Sequence, residues 1–160
     1  MEANAVRTGS ERKAFVQGRL RARHAEAWVA SASMSGVPHL VPLSLAWDGA
    51  EVILSVDRRS VTARNIVASG RARFALGETS DVVIIDTRLE KAVNLEDAPP
   101  DLAQAFADQA DWDPRRASDL PGSRDGGYVF LCLLPQRIQV WRDVAEHPGR
   151  TVMREAEWLI

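Results

Sequence analysis

This 160-residue chain holds one cysteine, one tyrosine and three histidines, so it has little of what most often carries metal or covalent chemistry. A lone Cys132 excludes an intrachain disulfide and a thiolate metal cluster. It lies in the apolar run from Tyr128 to Leu134, where cysteine behaves as a small buried hydrophobe. His24, His39 and His147 are far apart and lack metal-ligand spacing. Asp111, Asp113, Asp119 and Asp125 lack the pattern of a calcium loop. No metal site is therefore expected. Charge of one sign is also missing. A net charge of −2 gives no case for nucleic acid or an anionic membrane surface. Among the basic runs, Arg19 to Arg23 and Arg115-Arg116 read as solvated faces, flanked by acids. No apolar run approaches the roughly 18 residues of a membrane span. The segment Met1 to Gly9 lacks the features of a signal peptide, so a reducing cytoplasm is expected. There is no phosphate-binding P-loop, no Gly-x-Ser-x-Gly elbow and no dinucleotide fingerprint.

What is present is ordinary globular material. A hydrophobic fraction of 46% and a charged fraction of 26% suit a single domain over residues 1–160 with a real core. Residues 1–25 read as an N-terminal helical arm and 143–160 as a C-terminal tail. Ser10 is placed to cap a helix reaching about His24, with Phe15, Val16 and Leu20 on one face. Glu26 to Met34 reads as a strand, Ser35-Gly36 as a turn, and His39 to Trp47 as the next strand. Asp48-Gly49 signals a two-residue type I′ hairpin returning through Glu51 to Asp57, where Val52, Leu54 and Val56 alternate with Glu51, Ile53 and Ser55. Ser60 to Ser69 reads as a helix closed by Gly70. Strands follow over Ala72 to Leu76 and Asp81 to Leu89, then a helix over Asp101 to Ala110 behind Pro99-Pro100. Asp113 to Gly127 is polar loop, and Tyr128 to Leu134 and Gln136 to Trp141 read as a strand pair around Pro135. The pattern predicts a mainly β fold, an antiparallel six- to seven-stranded split barrel of Greek-key type with flanking helices.

Two segments can carry a ligand. On the strand from His39, Leu40, Pro42 and Ser44 share one face and Val41, Leu43 and Leu45 the other. Pro42 cannot donate to a ladder, which leaves this strand irregular or edge-like and its backbone groups open to a flat heterocycle. An ordinary edge strand guarded by proline reads equally well from the strand alone. The second segment is Arg58-Arg59-Ser60-Val61-Thr62-Ala63-Arg64-Asn65. Ser60 and Thr62 can cap a helix whose amide end faces an anion, and arginines suit phosphate oxygens. On spacing alone, a capped surface helix with exposed arginines accounts for it too.

Together the two segments resemble the flavin-binding split β-barrel family, the relatives of pyridoxamine 5'-phosphate oxidase. That family shows a Gly-x-Pro-His-hydrophobic-hydrophobic-Pro strand, a Trp/Phe-Asp-Gly hairpin, and Ser-x-Lys-x-x-Asn-hydrophobic opening a helix. Here these are Gly36-Val37-Pro38-His39-Leu40-Val41-Pro42, Trp47-Asp48-Gly49 and Ser60-Val61-Thr62-Ala63-Arg64-Asn65-Ile66. A weaker echo lies in Gln136 to Arg142 and Gly149-Arg150-Thr151. The resemblance implies an oxidoreductase that binds FMN, or the deazaflavin coenzyme F-420, at a homodimer interface and exchanges hydride with a small molecule. A non-catalytic flavin-binding module and a structural barrel are the other readings. By resemblance, Val41, Pro42, Leu43 and Ser44 line the ring. Arg58, Arg59, Ser60, Thr62, Arg64 and Asn65 surround the phosphate, and Trp141 belongs to the site. Thr62 stands where the family often has lysine, so either Arg59 or Arg64 substitutes for that cation or affinity is weak. The substrate segment of the true oxidases is not recognisable after Trp141, which argues against pyridoxamine phosphate.

Overall fold

The computed structural model describes residues 4–119 and 127–160. Its strands form one antiparallel sheet, and the main path runs β2-β1-β5-β6-β7-β4-β3. The strands are β1 Glu26–Ala32, β2 Pro38–Ser44, β3 Ala46–Trp47, β4 Val52–Asp57, β5 Arg71–Glu78, β6 Asp81–Asn94, β7 Tyr128–Trp141, β8 Thr151–Arg154 and β9 Glu157–Trp158. The two ends of the path, β2 and β3, are separated in sequence only by Leu45, whose N–H bonds Ala25 O at 2.9 Å. A sheet whose opposite edges are consecutive in the chain must curl on itself. The result is a half-barrel with three α-helices around it.

The single strand expected from His39 to Trp47 is therefore two. β2 pairs with β1, and only Ala46-Trp47 pairs with β4. Leu45, fully buried, is the corner at which the chain leaves one edge and joins the other. The Asp48-Gly49 turn is also different. Only Gly49 has a positive φ, and Asp48 Oδ1 accepts the N–H groups of Ala50 (2.8 Å) and Glu51 (2.6 Å). A side-chain acceptor that satisfies both amides removes the need for the type I′ geometry. Two successive residues of positive φ occur instead at Glu155 (52°) and Ala156 (65°), between β8 and β9 in the segment read as a tail. Pro135 does not divide its strand: β7 is one fourteen-residue strand, and a bulge leaves Gln136 unpaired beside it. Bulges are where a mid-sheet proline can be absorbed.

Three helices cover the sheet. α1 (Gly9–Arg21) is capped by Thr8 and not Ser10, because Thr8 and Glu11 form a reciprocal capping box. Its Val16 and Leu20, both fully buried, enter the barrel core. α2 (Val61–Ser69) ends at Gly70, whose φ of +72° suits a residue without Cβ. Its Ala63 and Ile66 join the same core. α3 (Pro100–Ala110) lies on the outside and seals a second core with Ala46, Ile53, Phe130 and Cys132. This explains why β4 does not alternate: Val52 to Val56 are buried on both faces. Gln109 fastens α3 to the rest. It donates to Leu20 O (2.6 Å) and accepts from Trp47 N (2.8 Å).

The C-terminal turn closes around one acid. Glu146 is fully buried and accepts from Arg7 N (2.9 Å), Arg7 Nη2 (2.8 Å) and Arg142 N (3.0 Å). These donors hold its carboxyl down at about 2, the Arg7 side chain contributing most. Among the described residues, no helix is long and apolar enough to cross a membrane.

Candidate functional site

The split in the barrel leaves an open groove between β2 and β4. β2 pairs only with β1, and beyond Ile53 the β4 strand pairs only with β7. Each strand so presents unpaired backbone groups toward the other. The groove has a volume of about 550 Å³. One wall is the inward face of β2 (His39, Val41 and Leu43), and the other is Ser55, Val56 and Asp57 of β4. At one end sit Ser60, Val61 and Thr62, the start of α2.

Local sequence sets this geometry. Ser60 is extended and its hydroxyl accepts Ala63 N at 3.1 Å, which caps α2 and aims the helix's amide end along the groove. Thr62 does not share the capping; it is buried within the first turn. An aromatic wall completes the groove on the α3 side. Tyr128 and Trp112 meet edge to face at 5.6 Å, and Trp112 rests in the same way on Phe106 at 5.6 Å.

The expected site residues divide into groups. Val41, Leu43, Ser60 and Thr62 are brought together in the groove. Pro42 and Ser44 lie on the outer face of β2, opposite Trp28 and Glu26 of β1. Asn65 is buried under α2 and donates to Ser31 Oγ at 3.2 Å, so its amide ties the helix to β1. Arg58 bonds Glu96 at 3.1 Å, and its N–H meets Gly127 O at 3.3 Å. A Cβ at Gly127 would stand 2.7 Å from the Arg58 guanidinium, so a side chain there would push the end of that arginine aside. Arg59 faces Asp57 at 3.4 Å. Arg64 is exposed and has no ion-pair partner among the described residues. Trp141 stands at the far end of β7 from Tyr128, roughly 40 Å of extended chain away. It packs on His147.

Ser55, Asp57, Trp112 and Tyr128 line the groove and are not among the expected site residues. Ser55 Oγ is buried without a hydrogen-bond partner and lines the groove, so a ligand atom there would satisfy it. Alternation in β4 could have found Ser55 and Asp57, which share the face of Ile53. Trp112 and Tyr128 are brought in by tertiary packing alone. Cys132 takes no part: burial holds its thiol up at about 11.

No family model matches the chain, and no curated protein matches it in sequence. Solved structures do. It is similar to an F420 reductase (17% identity, TM-score 0.56, covering 76% of this chain and 94% of that one). It is similar to a pyridoxamine 5'-phosphate oxidase-related, FMN-binding protein from Nostoc punctiforme (15% identity, TM-score 0.55, 88% and 86% covered). A heme-binding protein from Mycobacterium smegmatis matches at 19% identity and TM-score 0.59, with 92% of this chain and 58% of that chain covered. The fold is the split β-barrel. At these identities the likeness speaks for the split-barrel fold and leaves the chemistry to the groove.

The groove fits a flat, partly polar ring better than it fits a phosphate. Two open strand edges and an unpartnered Ser55 hydroxyl offer donors and acceptors at the ring's rim. At the α2 end, Asp57 brings negative charge beside the helix start. The Arg59 N–H and guanidinium bonded to it keep its carboxyl below the usual range. Thr62 brings no charge. An arriving phosphate would find the α2 amides, Arg64, and two arginines already engaged by carboxylates.

Proposed function

We propose that the split groove binds a flavin-type cofactor, FMN or its deazaflavin counterpart, and that the chain is an oxidoreductase acting on a small molecule. The observation that carries this reading is the pair of facing, unpaired edges of β2 and β4, closed at one end by the amide end of α2. The names of two structural neighbours, an F420 reductase and an FMN-binding protein, point the same way. Bound there, such a cofactor would supply hydride exchange, and the protein orientation and electrostatics. Val41, Leu43 and Val56 would hold the ring apolar on its faces, Trp112 and Tyr128 would exclude water, and Ser55 would donate to its rim. Ser60, the α2 amides and Arg64 would receive the phosphate.

The same reading includes a homodimer. The outer face of β1 and β2 exposes Trp28 (53%) and Leu40 (59%), with Pro42 opposite Trp28 in the register. A contiguous apolar sheet face of this kind fits a second copy better than water. Trp141, remote from the groove of its own chain, would then complete the site only from the other subunit. A non-catalytic binding module remains the second reading, since the titratable groups lining the groove, His39, Asp57 and Tyr128, form no acid–base pair with one another among the described residues. Turnover separates them. The purified, cofactor-loaded protein should oxidise a reduced nicotinamide or reduced deazaflavin in the presence of an acceptor. Stoichiometric binding with no turnover of either would leave the binding module.

A further inference from the structure

We infer that the sheet carries a second, separate ligand site, for a phosphate-type anion presented by a small molecule. It lies in a cavity of about 770 Å³ floored by Arg71 and Arg73 of β5 and Asp86 and Arg88 of β6, with Ser31 and Gln136 at its sides. The inference does not depend on the flavin reading. The two grooves sit at opposite ends of α2, one at Ser60 and the other at Ser69.

The charge arrangement asks for a counter-ion. Arg71 stands directly opposite Arg88 in the β5–β6 register, and like charges in that position destabilise a sheet. Arg88 is turned to Glu90 at 2.6 Å, while Arg73 and Arg137 share the single carboxylate of Asp86. The Arg71 guanidinium has no acidic partner among the described residues; the backbone of Arg71 donates its N–H to Ser69 Oγ and accepts from the same hydroxyl at its carbonyl. Counting Arg137, four guanidinium groups meet two carboxylates here, Asp86 and Glu90. That surplus outweighs the roughly half unit of negative charge at the C-terminal end of α2.

A buried donor points into the same place. Ser31 is 9% exposed, and its Oγ accepts the Asn65 amide, which leaves its own proton to give. Planar guanidinium forks that line one cavity together with a hydroxyl donor match a tetrahedral oxyanion better than a single carboxylate.

The test is titration of the full chain with inorganic pyrophosphate at low ionic strength, followed by calorimetry and by amide NMR. Saturable binding is expected, with shifts at residues 30–33, 71–73 and 86–88. Arg71→Ala and Arg88→Ala should each weaken it by at least about tenfold, and Arg115→Ala, on a paired surface arginine, should leave it unchanged. Pyrophosphate should also raise the Tm of the wild type and not of Arg71→Ala. The ligand-free variant should melt no lower than the wild type, because a like-charge pair is gone. Absence of binding, binding indifferent to both substitutions, or shifts confined to residues 60–64 would overturn the proposal. So would binding that vanishes as protein concentration rises and a second copy covers the cavity. None of these outcomes bears on the groove at the split.

Discussion

Asp57 Oδ1 accepts the backbone N–H of Arg59 at 2.8 Å, so the loop entering α2 carries its own anion beside the helix start. The arginine meant for a phosphate is thereby partly neutralised before any ligand arrives. Asp57→Asn keeps the acceptor and removes the charge. FMN should then bind roughly three- to tenfold more tightly, while riboflavin, which lacks the phosphate, should bind as before. Because the Asp57 carboxyl is held below its ordinary range, the difference should be constant between neutral and mildly acid pH. An equal gain for riboflavin would mean that the charge acts on the ring.

Arg64 differs from Arg58 and Arg59 in having no ion-pair partner among the described residues. A well-formed arginine–phosphate bond is worth on the order of 1.5–3 kcal/mol. Arg64→Ala should therefore weaken FMN about tenfold to a hundredfold and leave the melting temperature nearly unchanged. Arg115→Ala, whose guanidinium is engaged by Asp113, is the control. Identical affinity for the two variants would remove Arg64 from the site.

The aromatic wall makes the second core part of the groove. Phe106 is fully buried between Trp112 and Phe130, at 5.6 and 5.7 Å. Phe106→Ala should cost about 3–5 kcal/mol in denaturant unfolding. It should also loosen the cofactor, since Trp112 loses its support. Trp112→Phe should cost far less stability yet still weaken binding, which separates the wall's contact from the fold's integrity.

Glu146 sets an acid limit on stability. Its folded-state value of about 2 lies below the ordinary 4.5, so its contribution is present above the ordinary value and lost as pH falls toward 2. Unfolding free energy should drop across that window by an amount on the order of 3 kcal/mol from this group. Glu146→Gln should be less stable at neutral pH and flatter in acid. A variant whose pH profile parallels the wild type would assign the acid sensitivity to other carboxylates.

The architecture was legible in the sequence because its signals are local. Ser35-Gly36 marks the turn before β2, Ser60 to Gly70 carries both helix signals, and β-branched residues mark β6. What was not legible depends on contacts distant in sequence. Leu45 looks like one more strand residue, and only the curled sheet makes it a corner. Pro135 reads as a break until a bulge on β7 absorbs it. Thr8 outcompetes Ser10 as the cap, although Glu11 three residues after Thr8 was a signal in plain view. In the groove, alternation correctly separated Val41 and Leu43 from Pro42 and Ser44 but did not say which face would be open. Trp112 reaches the site only because α3 packs on Phe130.

Titration of the purified, ligand-free chain with FMN and with the deazaflavin coenzyme, followed by quenching of cofactor fluorescence, tests the central claim most directly. The groove reading predicts saturable binding of at least one of them at one per chain, abolished by Val61→Arg, which fills the groove, with the variant's fold intact by circular dichroism. No saturation by either cofactor, or binding unaffected by Val61→Arg, would contradict it.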